Sequence, residues 1–367
     1  MELLNSFAGD VRSQTTLDRN SSDDDDYDTD DQPPSVAAIR ASFIIITVLL
    51  AIFANILCLV VLPHTRNRIP ENNRLLMMSL SAADLGIGFI TALSIAPAIL
   101  GHWPYGTIIC NLSSSLNNAF SGISILSLVL ISLDRYVAVT KPLRYVVIVT
   151  RKKVIIVIAI LWAFELVFCS VVFAFTGAPI KYDHTVAKCT PVWRPGKDTP
   201  MLLVTLTLTI VIPFLMMIFI YTRLFLIAQV QIKKMRHLRS LGSREGDRNG
   251  VSISTHSDRK ASRTFFVITL VFAFSWLPYT ISAFYSNISG HSPNKVVQFL
   301  AVWVIISSSW SDVLVFAGMN SSFRLAAKRL FKCMRRNSRV LDSNMPVISK
   351  ETAFNNEHSQ KSLPNVG

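Results

Sequence analysis

Seven stretches of 22 to 26 residues, each apolar and holding at most one charged side chain, recur along this 367-residue chain. A helix rises about 1.5 Å per residue, so about 20 apolar residues cross the hydrocarbon of a bilayer, where a central charge costs at least about 2.5 kcal/mol. The windows are 41–62, 75–100, 108–133, 154–176, 201–222, 264–288 and 296–320. They contain no Lys or Arg and only three acids, Asp84, Glu165 and Asp312. With 51% hydrophobic and 16% charged residues, the chain is too poor in charge for a set of soluble domains of this length. The expected fold is an all-α membrane protein, a bundle of seven spanning helices.

The cations set the expected orientation, because Lys and Arg beside a helix end are retained in the cytoplasm. Four segments (66–74, 135–153, 223–263 and 321–339) carry 26 of the 36 Lys and Arg, which places the amino terminus outside and the carboxyl terminus inside. No apolar signal-peptide core precedes Ala41, so the first helix is expected to act as an uncleaved signal anchor in the plasma membrane. The net charge of +13 hides a front tail, residues 1–36, with ten acids and two Arg. The basic face is therefore read as meeting anionic lipid and cytosolic partners, with no nucleic acid among them.

The expected organisation is a disordered acidic tail at 1–36, the bundle at 37–320, an amphipathic interfacial helix at 321–334 and a cytoplasmic tail at 335–367. In the front tail Tyr27 sits among aspartates and is a candidate sulfation site, and Asn20 and Asn287 head N-x-Ser glycan acceptor sequences. Lys233 to Lys260 is rich in Ser, Gly and Arg with no apolar period, so its middle reads as a flexible loop carrying candidate phosphosites. After the seventh window, Phe323, Ala326, Ala327, Leu330, Phe331 and Met334 recur at helical spacing among Arg and Lys, the pattern of a helix lying on lipid. Cys333 near its end is a candidate palmitoylation site, the alternative being a free thiol.

Of five cysteines, only Cys110 and Cys189 fall on the oxidising side of this topology, and a bond between them ties the second outer loop to the top of the third helix. Metal-ligand clusters, nucleophile elbows and phosphate-cradling Gly loops are absent from the sequence, and neither an enzymatic activity nor a cofactor is expected.

Polar residues within the windows must face protein or a hydrated cavity. Ser114, Asn117, Asn118, Ser121 and Ser124 form one stripe on the third helix. Asn117, Asn118 and Ser121 are read as lining a ligand cavity, with Thr205 and Thr209 on its opposite wall; small polar residues gluing helices are the competing reading. Asp84 and Asp312 have no cation in any window, so they either share a proton or hold a small cation, sodium, among hydroxyls such as Ser124 and Ser308. Pro213 and Pro278 break the fifth and sixth helices and supply kinks about which an inner half-helix can swing. At the inner end of the third helix, Arg135 is expected to pair with Asp134 and, from the sixth helix, with Asp258.

These residues resemble those of rhodopsin-like (class A) G protein-coupled receptors, from about Ser35 to Cys333. The matching pieces are Asn55, Leu80-Ser81-Ala82-Ala83-Asp84, Trp103, Cys110, Asp134-Arg135-Tyr136, Pro142-Leu143, Trp162, Pro213, Tyr221 and Phe272-x-x-x-Trp276-x-Pro278, in that order. The resemblance implies that an outside ligand favours a state in which helix six moves outward and a heterotrimeric G protein inserts beside Arg135. It further implies Leu143 as a G-protein docking residue and Trp276 as the cavity floor, with Tyr279 beside it and arrestin and receptor kinases as partners. The run from Leu133 to Tyr145 and Trp303 are closest to biogenic-amine receptors. Three departures stand out: Asn117 replaces the Asp that pairs with an amine, Ile306 replaces the supporting Tyr, and Asp312-Val313-Leu314-Val315-Phe316 replaces Asn-Pro-x-x-Tyr. A peptide receptor using the acidic tail and a weakly signalling seven-helix scaffold are the alternatives; a retinal pump lacks its buried lysine, and no internal repeat suggests a transporter.

Overall fold

The computed structural model describes residues 34–65, 69–176, 179–193, 196–240, 248–291 and 293–343. The chain divides into two units, Met1–Ile39 and Arg40–Gly367. In the first, the described residues, 34–39, are helical and mostly exposed; Tyr27 and Asn20 lie outside the described residues.

Among the described residues seven helices are long and apolar enough to cross a membrane, with spans Ser35–Thr65, Glu71–Leu100, Gly106–Thr140, Arg151–Val172, Thr199–Ile227, Arg263–Ser289 and Lys295–Met319. In chain order the elements are α1 (Pro34–Val61), α2 (Glu71–Ala92), α3 (Ile95–Leu100), α4 (Gly106–Thr140), α5 (Pro142–Ile148), α6 (Arg151–Thr176), β1 (Ile180–Asp183), β2 (Lys188–Pro191), α7 (Thr199–Leu206), α8 (Ile212–Ser240), α9 (Arg248–Ser289), α10 (Lys295–Met319) and α11 (Ser321–Ser343).

Two breaks have sequence causes. The second span turns at Leu93 and Ser94 between α2 and α3, where Pro97 lacks the N–H that Leu93 would receive in an unbroken helix. The fifth span changes to a π-helical turn over Thr207–Val211 directly before Pro213, so the proline's missing donor is absorbed by a wider turn. Pro278 lies within α9. In α10, which lacks a proline, the helix is continuous from Lys295 to Met319.

The third spanning helix, α4, is the axle. Its apolar window is 61% buried against 17% for that of α6, and it packs on α2, α6, α8 and α9. The outward faces of its neighbours carry exposed Ile46, Phe53, Ile160, Val167, Phe219 and Phe274, as expected of surfaces solvated by lipid. Small residues on α4 allow close approach. A Cβ added at Gly122 would lie 2.2 Å from Glu165 Oε2, so glycine here makes the slot into which α6 inserts a buried carboxyl side chain.

Near Arg135 the core is a thick apolar plug containing Leu76, Leu128, Met217, Ile268, Phe272 and Phe316. Near the cystine a smaller cluster joins Ile44, Ile87, Phe299, Trp303 and Ile306 to Ala187 of the β1–β2 turn. The two strands were not expected from the sequence; they pair antiparallel with Tyr182 opposite Cys189 and Asp183 opposite Lys188. Helices also outrun the apolar windows. The segment with the expected flexible loop is helical to Ser240, where Lys, Met, Leu and Arg are good helix formers, and again from Arg248, a stretch whose Asn, Gly, Ser and Thr give no local reason for a helix; residues 241–247 lie outside the described residues. α11 continues to Ser343, beyond the expected 334, and is started by Asn320, whose Oδ1 accepts from the N–H groups of Ser322 and Phe323. Phe323 and Ala326 are buried while Arg324, Lys328, Arg329 and Lys332 are exposed.

Gly122→Val should overpack the α4–α6 contact and destabilise the protein by about 1–3 kcal/mol. Thermal unfolding of the purified protein checks this, and adding Glu165→Ala should restore the loss by emptying the slot.

Candidate functional site

The cystine end is built around the hairpin. The Cys110–Cys189 bond, with a Cα–Cα separation of 5.5 Å, fixes β2 to the start of α4. Tyr182 donates to the Pro97 carbonyl at 3.1 Å, and Trp303 Nε1 donates to the Val186 carbonyl at 3.0 Å. The Arg40 guanidinium donates to the carbonyls of His184 and Thr185. Pinned to four helices, the hairpin lies over the bundle and directs Lys188 downward, where Nζ donates to Asn117 Oδ1 at 3.0 Å. The other end of the same amide donates to Thr91 Oγ1 at 3.2 Å. Thr91, Ser94, Trp103, Ser113, Asn117 and Lys188 line a cleft with room for roughly one water molecule. Burial pulls the Lys188 ammonium down to about 8.

A second cleft of similar size lies deeper, lined by Ser121, Ser124, Phe272, Trp276, Ile306 and Ser308 among others. Trp276 forms its aromatic floor, stacked on Phe272 at 5.9 Å and meeting Tyr279 edge-on at 6.2 Å, and its indole N–H has no hydrogen-bond partner among the described residues. Of the sequence-predicted cavity residues, Asn117, Ser121 and Trp276 line the two clefts and Tyr279 adjoins them. Asn118 does not join them: one residue on, it is rotated about 100° around the helix, is exposed, and donates back to the Ser114 carbonyl. Thr205 and Thr209 line neither cleft. Thr209 donates to the Thr205 carbonyl, and the Thr205 hydroxyl is buried without a partner.

Below Trp276 lies the paired-carboxylate core. Ser124 donates to Asp84 Oδ1 at 2.9 Å, whereas Asp84 Oδ2 and both Asp312 oxygens have no partner among the described residues. Asn55 ties α1 to α10 through the Ser309 carbonyl at 3.0 Å. Ser308 spends its hydroxyl hydrogen on the Ile305 carbonyl, which leaves its oxygen lone pairs facing the deeper cleft. Three carboxylate oxygens without partners among the described residues, beside hydroxyls, could hold a small hard cation or share a proton.

At the opposite end, Arg135 Nε and Nη2 both donate to Asp134 Oδ2, at 3.0 Å from Nε, and the Tyr145 hydroxyl donates to Asp134 Oδ1 at 2.7 Å. Asp134 is thus occupied on both oxygens. Burial, then the negative Asp134, pushes the Tyr145 hydroxyl up to about 12. Ser132 donates to the Tyr221 hydroxyl at 3.0 Å one turn away. Asp258 lies in α9 and its side chain is outside the described residues, so its pairing with Arg135 is not among the contacts seen. Tyr136 is half-buried beside this network. Leu143 is 96% exposed at the start of α5, with Val146 and Val147 also exposed. Phe316, buried, stacks on Phe265 of α9 at 6.2 Å and meets Phe323 of α11 edge-on at 5.2 Å.

Asn287 sits within α9, its amide donating to the Ala283 carbonyl and accepting from Thr199. Cys333 is exposed on α11. Two residues with no site role legible in the sequence are central: Lys188, a lysine beside a cysteine in a loop, and Tyr145, whose link to Asp134 across eleven positions depends on how α5 folds back.

The family model described as 7 transmembrane receptor (rhodopsin family) matches residues 54–313. The Histamine H2 receptor of Canis lupus familiaris is 27% identical over 332 residues, covering 89% of this chain and 88% of that one. That of Homo sapiens is 28% identical over 316 residues, covering 83% and 84%. The Trace amine-associated receptor 8b of Rattus norvegicus is 30% identical over 289 residues, covering 76% and 82%.

Between pH about 8 and 10.5 the unfolded Lys188 holds its proton while the folded one releases it. Because the unfolded state binds more protons there, stability contributed by this site should rise with pH across the window. The check is the difference between wild type and Lys188→Met in thermal midpoint, which should change with pH in that sense; a flat difference contradicts it.

Proposed function

The chain belongs to the rhodopsin family of seven-transmembrane receptors, and on that premise we propose that it is a plasma-membrane receptor passing an extracellular small-molecule signal to heterotrimeric G proteins. The observation that carries this reading is a series of buried polar contacts along α4, interrupted by the apolar plug: Lys188 and Asn117, then Ser121, then Ser124 with Asp84, and beyond the plug Ser132, Asp134 and Arg135. One helix thus carries a cleft at one end and a caged arginine at the other. The cationic loops orient it, with the cystine end outside and the Arg135 end, α11 and the carboxyl terminus in the cytoplasm.

In this reading the described contacts represent the closed state. Arg135 is held by Asp134, which Tyr145 in turn holds, and the apolar plug with Phe265 against Phe316 keeps α9 packed on α10. A ligand that repositions Trp276 acts on the segment at Pro278, where the helix lacks one hydrogen bond and bends at lowest cost. Outward movement of the inner part of α9 then parts Phe265 from Phe316 and opens a path to Arg135. The exposed Leu143, Val146 and Val147 supply an apolar ledge for the G protein, with arrestin and receptor kinases as later partners on the same face. α11 lies along anionic lipid through its exposed cations. A sodium ion between Asp84 and Asp312, with Ser124 and Ser308, would tie three helices together and favour the closed state.

Nucleotide exchange on a panel of purified G proteins tests the reading. The receptor in lipid nanodiscs should accelerate exchange on at least one of them, and Arg135→Ala should return it to the rate of the G protein alone; a scaffold leaves every rate unchanged. In the same assay sodium chloride should lower exchange relative to potassium chloride, and Asp84→Asn should erase that difference. Equal rates in both salts exclude the ion.

A further inference from the structure

The upper cleft contains a cation that belongs to the protein. Lys188 offers three N–H donors and spends one on the Asn117 amide oxygen. Among the described residues no carboxylate lies within ion-pair distance of it. Asp183, its cross-strand neighbour, instead accepts from the Thr185 N–H at 2.7 Å. Asn117 is neutral and its amino group is directed to Thr91. Lys188 is half-buried beside Trp103 and the cystine, and among the described residues its positive charge has no carboxylate to offset it. Withdrawing a cation from water in this way is unfavourable without a counter-charge.

An incoming ammonium would meet a like charge and find the Asn117 amide oxygen already engaged. A carboxylate would meet two free ammonium donors. Because the cleft as it stands has room for roughly one water, the carboxylate enters by drawing the long Lys188 stem off Asn117, which frees the amide to reorient toward the ligand. The deeper cleft has room for roughly one water as well, so an aromatic body enters it only as its side chains part, and there it meets the ring faces of Trp276 and Phe272 with Ile306 beside them. The cystine holds the backbone next to Lys188 in place, so the charge remains over the cleft while the side chain moves.

We propose that this receptor's ligand is a small organic acid with an aromatic body, bound through its carboxylate to the Lys188 ammonium and the Asn117 amide, and that free amines are excluded. The inference rests on the receptor reading, and binding and signalling are measured separately so that either can fail alone.

The probes are two acids and the two amines that share their ring systems, imidazoleacetate and phenylacetate against histamine and phenethylamine, added to the purified full chain in nanodiscs. Calorimetry and the thermal midpoint report binding; nucleotide exchange reports signalling. At least one acid should bind and raise the midpoint, and neither amine should. Lys188→Met should weaken acid binding by about tenfold or more, the usual scale for a lost charge-assisted bond. Lys188→Arg should retain binding, which also guards against a folding defect. Asn117→Asp alone should bind neither class, because Lys188 pairs with the new carboxylate. Asn117→Asp combined with Lys188→Met should bind the amines. Amines binding the wild type as well as acids, acid binding that survives Lys188→Met, or no acid binding at about 10 mM, where even a Kd near 1 mM would register, overturns the proposal. Lys188-dependent acid binding with no exchange on any G protein sinks the receptor reading and leaves the site intact.

Discussion

Hydrocarbon provides no hydrogen-bond partners, and this constraint organises the whole molecule. Polar side chains facing hydrocarbon are unfavourable, so the helix with the longest polar stripe becomes the one buried on most sides and turns most of that stripe toward its neighbours. Asn117 meets Thr91 and Lys188, Ser124 meets Asp84, Ser132 meets Tyr221, and Asp134 meets Arg135 and Tyr145. In water each of these contacts would compete with solvent. In the membrane they fix which face of α4 looks at which neighbour, and the apolar faces of the remaining helices are left to the lipid.

The seven spans, the cystine, the Asp134-Arg135 pair and the paired carboxylates were legible in the sequence because each depends on strong local patterns: apolar length, compartment, adjacency and the rarity of buried acids. What was not legible depends on tertiary placement. A lysine next to a cysteine in a loop gives no sign that its strand will be turned to aim it into the bundle. The four-residue strands have no alternation long enough to notice. Asn117 and Asn118 are consecutive, and only packing decides that the first faces inward and the second does not. Gly122 and Glu165 are unremarkable alone; their pairing across α4 and α6 is a property of helix approach. The extension of α8 and α9 past their apolar windows shows charge ending a membrane span without ending a helix.

Substitution of the seventh-helix motif also has a structural answer. Phe316 cannot donate a hydrogen bond, and the protein surrounds it with Phe265 and Phe323 so that one aromatic ring bridges α9, α10 and α11. The three helices are therefore held together at this level by ring contacts, whose strength depends on area and shape, whereas a hydroxyl relay would depend on water. The absence of proline from the same segment leaves α10 unbroken there, which concentrates bending in α9 at Pro278.

The π-helical turn at Thr207–Val211 has a geometric consequence for everything after it. In an uninterrupted α-helix, Tyr221 would point about 160° away from Thr205, putting one of the two against lipid. The additional residue in the turn subtracts about 100°, bringing them to within about 60° of each other, so both ends of the fifth span show the same side to α4. That phase correction is what lets Tyr221 reach Ser132 while Thr205 stays enclosed; tightening the turn to a regular α-helix with every residue kept would swing the lower half of the helix out of step with the upper.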